Sequence, residues 1–464
     1  CWKRCAECME QKMAAEKVEL RKLKWPSTEV REFISTLHRR QSVDEAQAGE
    51  KARRLSEKVF GEQLTPAQSV NRIMKEVRRE GDAALIKYTR LLDGVELSTD
   101  TFRVTEDELE DALKNAPGEL IEALTVAREN IMRYETELVE RCGEMRMPLG
   151  GGGFVGAKFV PFRSAGIYVP GGTAAYPSSV LMNALPAIVA GVKRVALFTP
   201  PEPSQNVLAA CALAGVKEVY RIGGVQAIAA MAYGTESIQP VDIVAGPGNI
   251  FVSLAKKQVY GDVAVDMIAG PSEILVIADE TANAGDVAAD MLSQAEHDPV
   301  SSAVVVTTSE AVANAVVKVA SQLASLKRGE AAGAAIKSFS AAIVVADEDE
   351  ACEVANLIAP EHLEIMTKDP EALLPLITQA GAVFLGRWSP EPIGDYVAGP
   401  SHTLPTGGRA RFSSGLSALT FLRKMSIISC TEEDLRSGMA DAATHLALAE
   451  GLDAHARSIE RRLH

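Results

Sequence analysis

From Gly150 onward the chain alternates short β-branched runs with helix-like stretches, and this rhythm restricts the fold more than any other feature. A run of four glycines, Gly150-Gly151-Gly152-Gly153, marks where it begins. The strand candidates are 194–198, 218–222, 242–245, 274–278, 303–307, 342–346 and 382–385. Strands separated by helix-length segments pair in parallel and need helices over both faces, which gives an α/β fold. Ligands in such folds bind beyond the carboxyl ends of the strands. The chain before the rhythm, from about 28 to 145, reads as a helical scaffold. Leu64-Thr65-Pro66 starts one helix and Thr105-Glu106-Asp107-Glu108 is a capping box before another. Leu120, Leu124, Ala127 and Ile131 share one face of a long helix. After about 415 the pattern turns helical and charge-rich.

Composition removes several function classes. Lys plus Arg is 48 against 62 Asp plus Glu, a net charge of −14, which repels phosphate backbones and anionic lipid. Nucleic acid and membrane are therefore not expected as partners. The stretch from Leu181 to Phe198 is the most apolar, and Asn183, Lys193 and Arg194 interrupt it. Cys142, Cys211, Cys352 and Cys430 are scattered too widely for a disulfide scaffold, so a reducing, cytoplasmic setting is expected. Cys1, Cys5 and Cys8 lack a fourth ligand at zinc-site spacing, and residues 1–13 are expected to be a disordered or non-native leader.

Three glycine turns fit a nucleotide. Tyr168-Val169-Pro170-Gly171-Gly172-Thr173, Ile222-Gly223-Gly224-Val225-Gln226 and Val244-Ala245-Gly246-Pro247-Gly248-Asn249 each precede a helix-like run. Glycine admits close backbone approach, and a helix N-terminus offers N–H groups to an anion. None is the dinucleotide fingerprint, and one such turn alone is more often plain geometry. Four histidines stand in polar company. Gln294 and His297 lie three apart, close enough to share a metal. Pro360-Glu361-His362 sets a carboxylate beside an imidazole at the start of a strand, with Ala359 biased to an extended shape by the proline. Asp395 and His402 fall in one turn-rich stretch, and Glu450 and His455 near the end. Spacing leaves open whether these stretches meet.

Several long runs resemble histidinol dehydrogenases. They are Tyr168-Val169-Pro170-Gly171-Gly172, Gly246-Pro247-Gly248-Asn249, Ala269-Gly270-Pro271-Ser272-Glu273 and Ser293-Gln294-Ala295-Glu296-His297-Asp298. Ala359-Pro360-Glu361-His362-Leu363, Gly394-Asp395-Tyr396, His402-Thr403-Leu404-Pro405-Thr406 and the Glu450 to His455 stretch continue the match in order, from about 60 to 462. Ser401, and Leu419-Thr420, depart from the family's usual Asn and acidic pair.

The resemblance implies oxidation of L-histidinol to L-histidine through histidinaldehyde, with two NAD⁺ and one Zn²⁺ per subunit. It implies a homodimer. Gln294, His297, Asp395 and His455 would bind zinc, His455 coming from the neighbouring subunit. Glu361 and His362 would be catalytic. Ser272, Gln294, His297, His362, Asp395, His402, Glu450 and His455 would contact substrate, and Tyr168, Gln226 and Asn249 would line the NAD site. The implied fold is two nested, incomplete Rossmann-like domains with parallel sheets and helical N- and C-terminal segments. Its expected parts are a helical arm at 14–60, a main domain at 61–167 and 272–416, an inserted NAD domain at 168–271, and a dimerisation tail at 417–464. Rival readings are a relative acting on another small alcohol and a non-catalytic metal-binding protein.

Overall fold

Val, Ile and Ala fill many of the runs that become strands, and several of these runs are buried along their whole length. The computed structural model describes residues 20–40, 50–171, 176–318, 323 and 326–463. The expected leader with Cys1, Cys5 and Cys8, together with Gly172, Thr173 and His464, lies outside the described residues. The strands are β1 (Arg21–Lys24), β2 (Met145–Pro148), β3 (Phe154–Pro161), β4 (Ser164–Tyr168), β5 (Arg194–Phe198), β6 (Glu218–Tyr220) and β7 (Ile243–Ala245). They continue with β8 (Ala264–Val265), β9 (Glu273–Ala278), β10 (Ser302–Thr307), β11 (Ala341–Val344), β12 (His362–Met366), β13 (Ala382–Leu385) and β14 (Leu422–Ser429).

Two parallel sheets share one topology. The five-stranded sheet has the order β6-β5-β4-β7-β8, and the six-stranded sheet β1-β11-β10-β9-β12-β13. In each, the chain steps outward twice from a central strand, β4 or β9, then crosses back to the other side, and β1 adds an outer edge to the six-stranded sheet. Every residue of β9 and β10 is buried, because helices cover both faces, so these strands read as continuous apolar runs rather than alternating ones. A third, antiparallel sheet joins β14, β3 and β2.

The α/β class expected from the rhythm is the one found, and six strands were hidden, the two-residue β8 among them. In β1 only Leu23 is buried; the rest of its sequence is Arg and Lys, and it forms a parallel edge on β11 within what read as a helical arm. β4 passed for an apolar lead-in to a glycine turn. β2, β3 and β14 are half-exposed, and Arg423 and Lys424 obscure any alternation in β14. The stretch after 415 therefore opens with a strand before its helices. Ala359 is also not extended: φ is 51°, and its N–H closes the helix Glu348–Ile358 on the Ala355 carbonyl at 2.8 Å. A left-handed helix cap outweighs the bias of the following proline.

The helices Pro66–Glu80 and Asp82–Asp93 bury Val70, Ile73, Val77, Leu85 and Tyr88 against Phe198 and Ile222 of the five-stranded unit. The helix Thr28–Arg39 buries Phe33, Ile34 and Leu37 against the six-stranded sheet. The helix Gly118–Arg141 packs against the turn that leads into β14 and holds it by a hydrogen bond, the Ala418 N–H donating to Glu135 Oε2 at 2.7 Å. Glu135 Oε1 is buried without a partner, and burial pushes this carboxyl up to about 7.

A carboxyl whose folded pKa lies above its ordinary 4.5 favours the fold most when protonated. Its contribution is complete below that value and is lost as pH rises through about 7. Glu135→Gln keeps the acceptor without the charge. It should raise stability at pH 8 by up to about 3 kcal/mol and leave stability at pH 4 nearly unchanged. Urea midpoints at the two pH values measure this, and equal midpoints for variant and parent at pH 8 would contradict it.

Candidate active site

The polar constellation converges at the amino-terminal ends of β9 and β12, not at the carboxyl ends where such folds usually bind ligands. The two strands pair in parallel with His362 opposite Ile274, which puts Glu273 beside the Glu361-His362 pair. Glu273 grips both residues through its backbone. Its N–H donates to Glu361 Oε2 at 2.9 Å, and its carbonyl accepts from His362 Nδ1 at 3.0 Å. A carbonyl only accepts, so Nδ1 carries the proton and the lone pair of the neutral ring sits on Nε2. Nε2 has no hydrogen-bond partner and faces Asp395 Oδ1 at 3.5 Å and Glu391 Oε1 at 3.9 Å.

Glu273 is itself clamped. Its buried carboxylate meets the buried Arg40 guanidinium at 2.8 Å and accepts from the Gly407 N–H at 3.1 Å. Arg40 also donates to the Val300 carbonyl at 2.5 Å, beside the start of β10.

The electrostatics are those of an anionic, desolvated pocket. Burial raises Glu361 to about 8, against the pull of His362. Burial and the charge of Asp395 raise Glu391 to about 8. Burial and Asp290 raise Glu364 to about 9. Burial would lower His362, but Glu361, Asp395 and Glu391 overcome it and raise the ring to about 10. Burial would raise Asp395, yet the His362 ring facing it at 3.5 Å holds it well below the usual carboxylate range.

The residues fit a divalent cation. His362, Glu391 and Asp395 present ligand atoms within 4.8 Å of one another. Gln294, fully buried at the end of the helix Ala284–Ala295, has neither amide atom hydrogen-bonded. An unmet buried amide costs a few kcal/mol, roughly 1–3, and coordination through its oxygen removes much of that cost. His297 follows one turn on, at the protein surface. The protein mass around it still lowers its pKa by desolvation, opposed by Asp395. With the carboxylates neutralised by a cation, His362 moves back toward its ordinary range.

His402 ties this pocket to the five-stranded unit. Its Nδ1 donates to the Asp395 carbonyl at 2.9 Å, and its Nε2 lies 3.0 Å from Ser179 Oγ on the first turn of the helix Pro177–Val189. Ser272 lies one residue before β9, partly buried. Glu450 and His455 are exposed on the tail, and no hydrogen bond or ion pair joins either side chain to the pocket among the described residues.

The glycine turns lie at the carboxyl ends of the five-stranded sheet. The Tyr168 hydroxyl accepts the Gly224 N–H at 3.0 Å, and Gln226 is buried with Oε1 unpartnered. Gly246 has φ 114°, and a Cβ there would come within 2.1 Å of the Tyr168 carbonyl oxygen, so only glycine fits the crossover beside β4. Asn249 caps the helix Ile250–Val259, its side-chain oxygen accepting from Phe251 and Val252. Open helix N-termini and an unmet amide suit a dinucleotide.

Glu391, Glu273 and Arg40 escaped the sequence reading. Glu391 lies between two prolines and reads as an ordinary helix-start acid. Glu273 reads as the first residue of a strand, and Arg40 as one more charge among arginines. Only the motif around Ser272 signalled that Glu273 mattered.

The sequence model of the family described as histidinol dehydrogenase matches residues 59–463. A histidinol dehydrogenase of Moorella thermoacetica is 49% identical over 401 residues, covering 85% of this chain and 94% of its own length. One from Rhodopirellula baltica is 45% identical, covering 94% of this chain and 95% of its own length. The crystal structure of histidinol dehydrogenase from Elizabethkingia anophelis superposes with a TM-score of 0.86 at 35% identity, covering 96% of this chain and 98% of that one.

Arg40→Met removes the guanidinium that the buried Glu273 carboxylate meets at 2.8 Å and should cost about 3–5 kcal/mol of stability. The double variant Arg40→Met/Glu273→Gln removes both charges and should recover part of that loss. Denaturant unfolding of the three proteins measures it, and a single variant as stable as the parent would show the pair to be dispensable.

Proposed function

The chain belongs to the histidinol dehydrogenase family, and we propose that it oxidises L-histidinol to L-histidine through histidinaldehyde, reducing two NAD⁺. The carrying observation is the joint hold of Glu273 on Glu361 and His362, which fixes a general base and a water-activating carboxyl side by side.

In this reading Gln294, His297 and Asp395 hold a zinc ion with His455 of the partner subunit. The metal, when bound, would serve chiefly as a template that holds the substrate's imidazole and amine. Ser272 and His402 line the substrate pocket with Glu450 of the partner subunit, and Tyr168, Gln226 and Asn249 line the NAD site.

His362 Nε2 takes the hydroxyl proton as the carbinol hydride leaves for nicotinamide, giving the aldehyde. Its Nδ1–H stays on the Glu273 carbonyl throughout, so the ring neither rotates nor changes tautomer. Glu361 then takes a proton from the water that adds to the aldehyde, while His362 returns its Nε2 proton to the aldehyde oxygen, which gives the hydrate and restores the base. His362 next removes a hydroxyl proton of the hydrate as a second hydride leaves, giving the carboxylic acid, which ionises to the carboxylate. His402, fixed between Asp395 and Ser179, keeps the substrate pocket in register with the nucleotide unit.

The homodimer reading draws on exposed apolar surface. Met145, Met147, Met425 and Ile428 are more than half exposed on the three-stranded sheet, and Leu446 and Leu448 are exposed on the tail. The described cysteines are all free, which suits the cytoplasmic setting proposed with it.

Purified protein should contain zinc and produce NADH with histidinol in preference to other small alcohols. Full activity without metal would sink the zinc assignment. Glu361→Gln should slow oxidation of added histidinaldehyde by roughly 10²–10⁴-fold while slowing alcohol oxidation much less. Equal losses in both half-reactions would argue against that division. His362→Asn should impair both steps, and an intact first step would remove it as the base.

A further inference from the structure

Asp93 is the last residue of the helix Asp82–Asp93, with Gly94 in a left-handed cap at φ 74° just after it. It comes from outside the five-stranded sheet, yet it reaches the sheet's nucleotide face. Its Oδ2 lies 3.5 Å from Gln226 Nε2. Gln226 is 1% exposed, and its Oε1 has no partner. The Tyr168 hydroxyl, on the Gly224 N–H, forms the same corner.

The two ends of this face differ. Asn249 marks the end nearer the chemistry. Ser253, one turn further along its helix, donates to the Ala269 carbonyl at 2.9 Å, and Gly270 donates its N–H to Thr406 at 2.6 Å, two residues before Ser272. Nicotinamide therefore belongs at the Asn249 end, and the adenosine half at the Gln226 end. Folds of this kind usually carry an acid at the end of the second strand to bind the adenosine ribose. Here that place, after β5, holds Thr199-Pro200-Pro201.

We propose that Asp93 supplies the missing acid, accepting a hydrogen bond from the adenosine ribose 2′-hydroxyl and rejecting a 2′-phosphate. The proposal rests on the reading of Tyr168, Gln226 and Asn249 as the dinucleotide site. The side chain reaches solvent, but the protein packed around it raises its pKa to about 6, so it is ionised at neutral pH. A partly desolvated carboxylate binds a hydroxyl strongly, and it repels a phosphate more than a fully hydrated one would.

Calorimetric titration of the full-length enzyme with NADH and with NADPH tests this through two dissociation constants, independently of turnover. The parent should prefer NADH. Asp93→Asn should weaken NADH and tighten NADPH, lowering the preference by about tenfold or more. Asp93→Glu should retain the preference, with an unchanged circular dichroism spectrum in both variants. An unaltered NADH/NADPH ratio in Asp93→Asn would overturn the role of Asp93. Gln226→Ala should cost NADH affinity, and unaltered binding there would overturn the site itself, a result distinct from the first.

Discussion

One residue's backbone holds the chemistry together. Glu273 presents its N–H to Glu361 and its carbonyl to His362, and it can do so only because β9 and β12 pair in parallel at a fixed register. A slip of one residue would turn His362 to the other face of the sheet and leave its Nδ1–H unmet. The side chain of the same residue binds Arg40, whose guanidinium also reaches Ser302 at 3.3 Å and the Val300 carbonyl. Arg40 follows β1, which is the far edge of the sheet. The chain thus leaves the edge and returns to lock the amino ends of β9 and β10 at the centre. A buried ion pair adds little net stability by itself. Its value here is geometric, since it fixes the one residue on which both Glu361 and His362 hang.

The repeated topology explains why the two sheets do different work. Both have a switch point at their carboxyl edge, between β4 and β7 in one and between β9 and β12 in the other. The first is open, with Gly246 pressed against the Tyr168 carbonyl and helix N-termini close by. At the second, Asp279 fills the crevice. Its carboxylate accepts from the Thr281 N–H and hydroxyl at 2.8 and 2.6 Å and from the Lys368 N–H at 2.7 Å. Burial would raise this carboxyl, but those bonds hold it below the usual range, so it stays charged. An anion already occupies the position a pyrophosphate would need. The six-stranded unit is left to build its site at the opposite edge, where helix Ala284–Ala295 delivers Gln294 and β12 delivers His362.

What could be read from the sequence follows the same physics. Strands buried on both faces announced themselves as Val and Ile runs, and the long motifs around Gln294, Glu361 and Asp395 named the pocket's members. Half-exposed strands did not, because charged residues on β1 and β14 mask a short alternation. Nor did the side of the sheet on which the pocket lies, since strand order is decided by pairing between stretches far apart in the chain, as Ile274 with His362. Arg40 and Glu273 were illegible for a related reason. Each looks like a surface charge until burial pairs it with the other, and burial is a property of the assembled fold.

The charge balance of the pocket bears on how the protein assembles. Glu361, Glu391, Glu364 and Asp395 are gathered into a region that solvent scarcely reaches, and three of them are raised toward neutrality. Such a pocket is tolerable to the fold either with protons on its carboxyls or with a cation among them. In the reading proposed above, a single chain offers Gln294, His297 and Asp395 toward that cation, while the remaining candidate, His455, sits exposed on the tail. If the fourth ligand comes from a second chain, metal binding and association become linked equilibria. Each dimer contact then raises metal affinity, and each bound metal holds the dimer, by the same free energy. A pocket that is costly when empty would thus become the main reason for two chains to stay together.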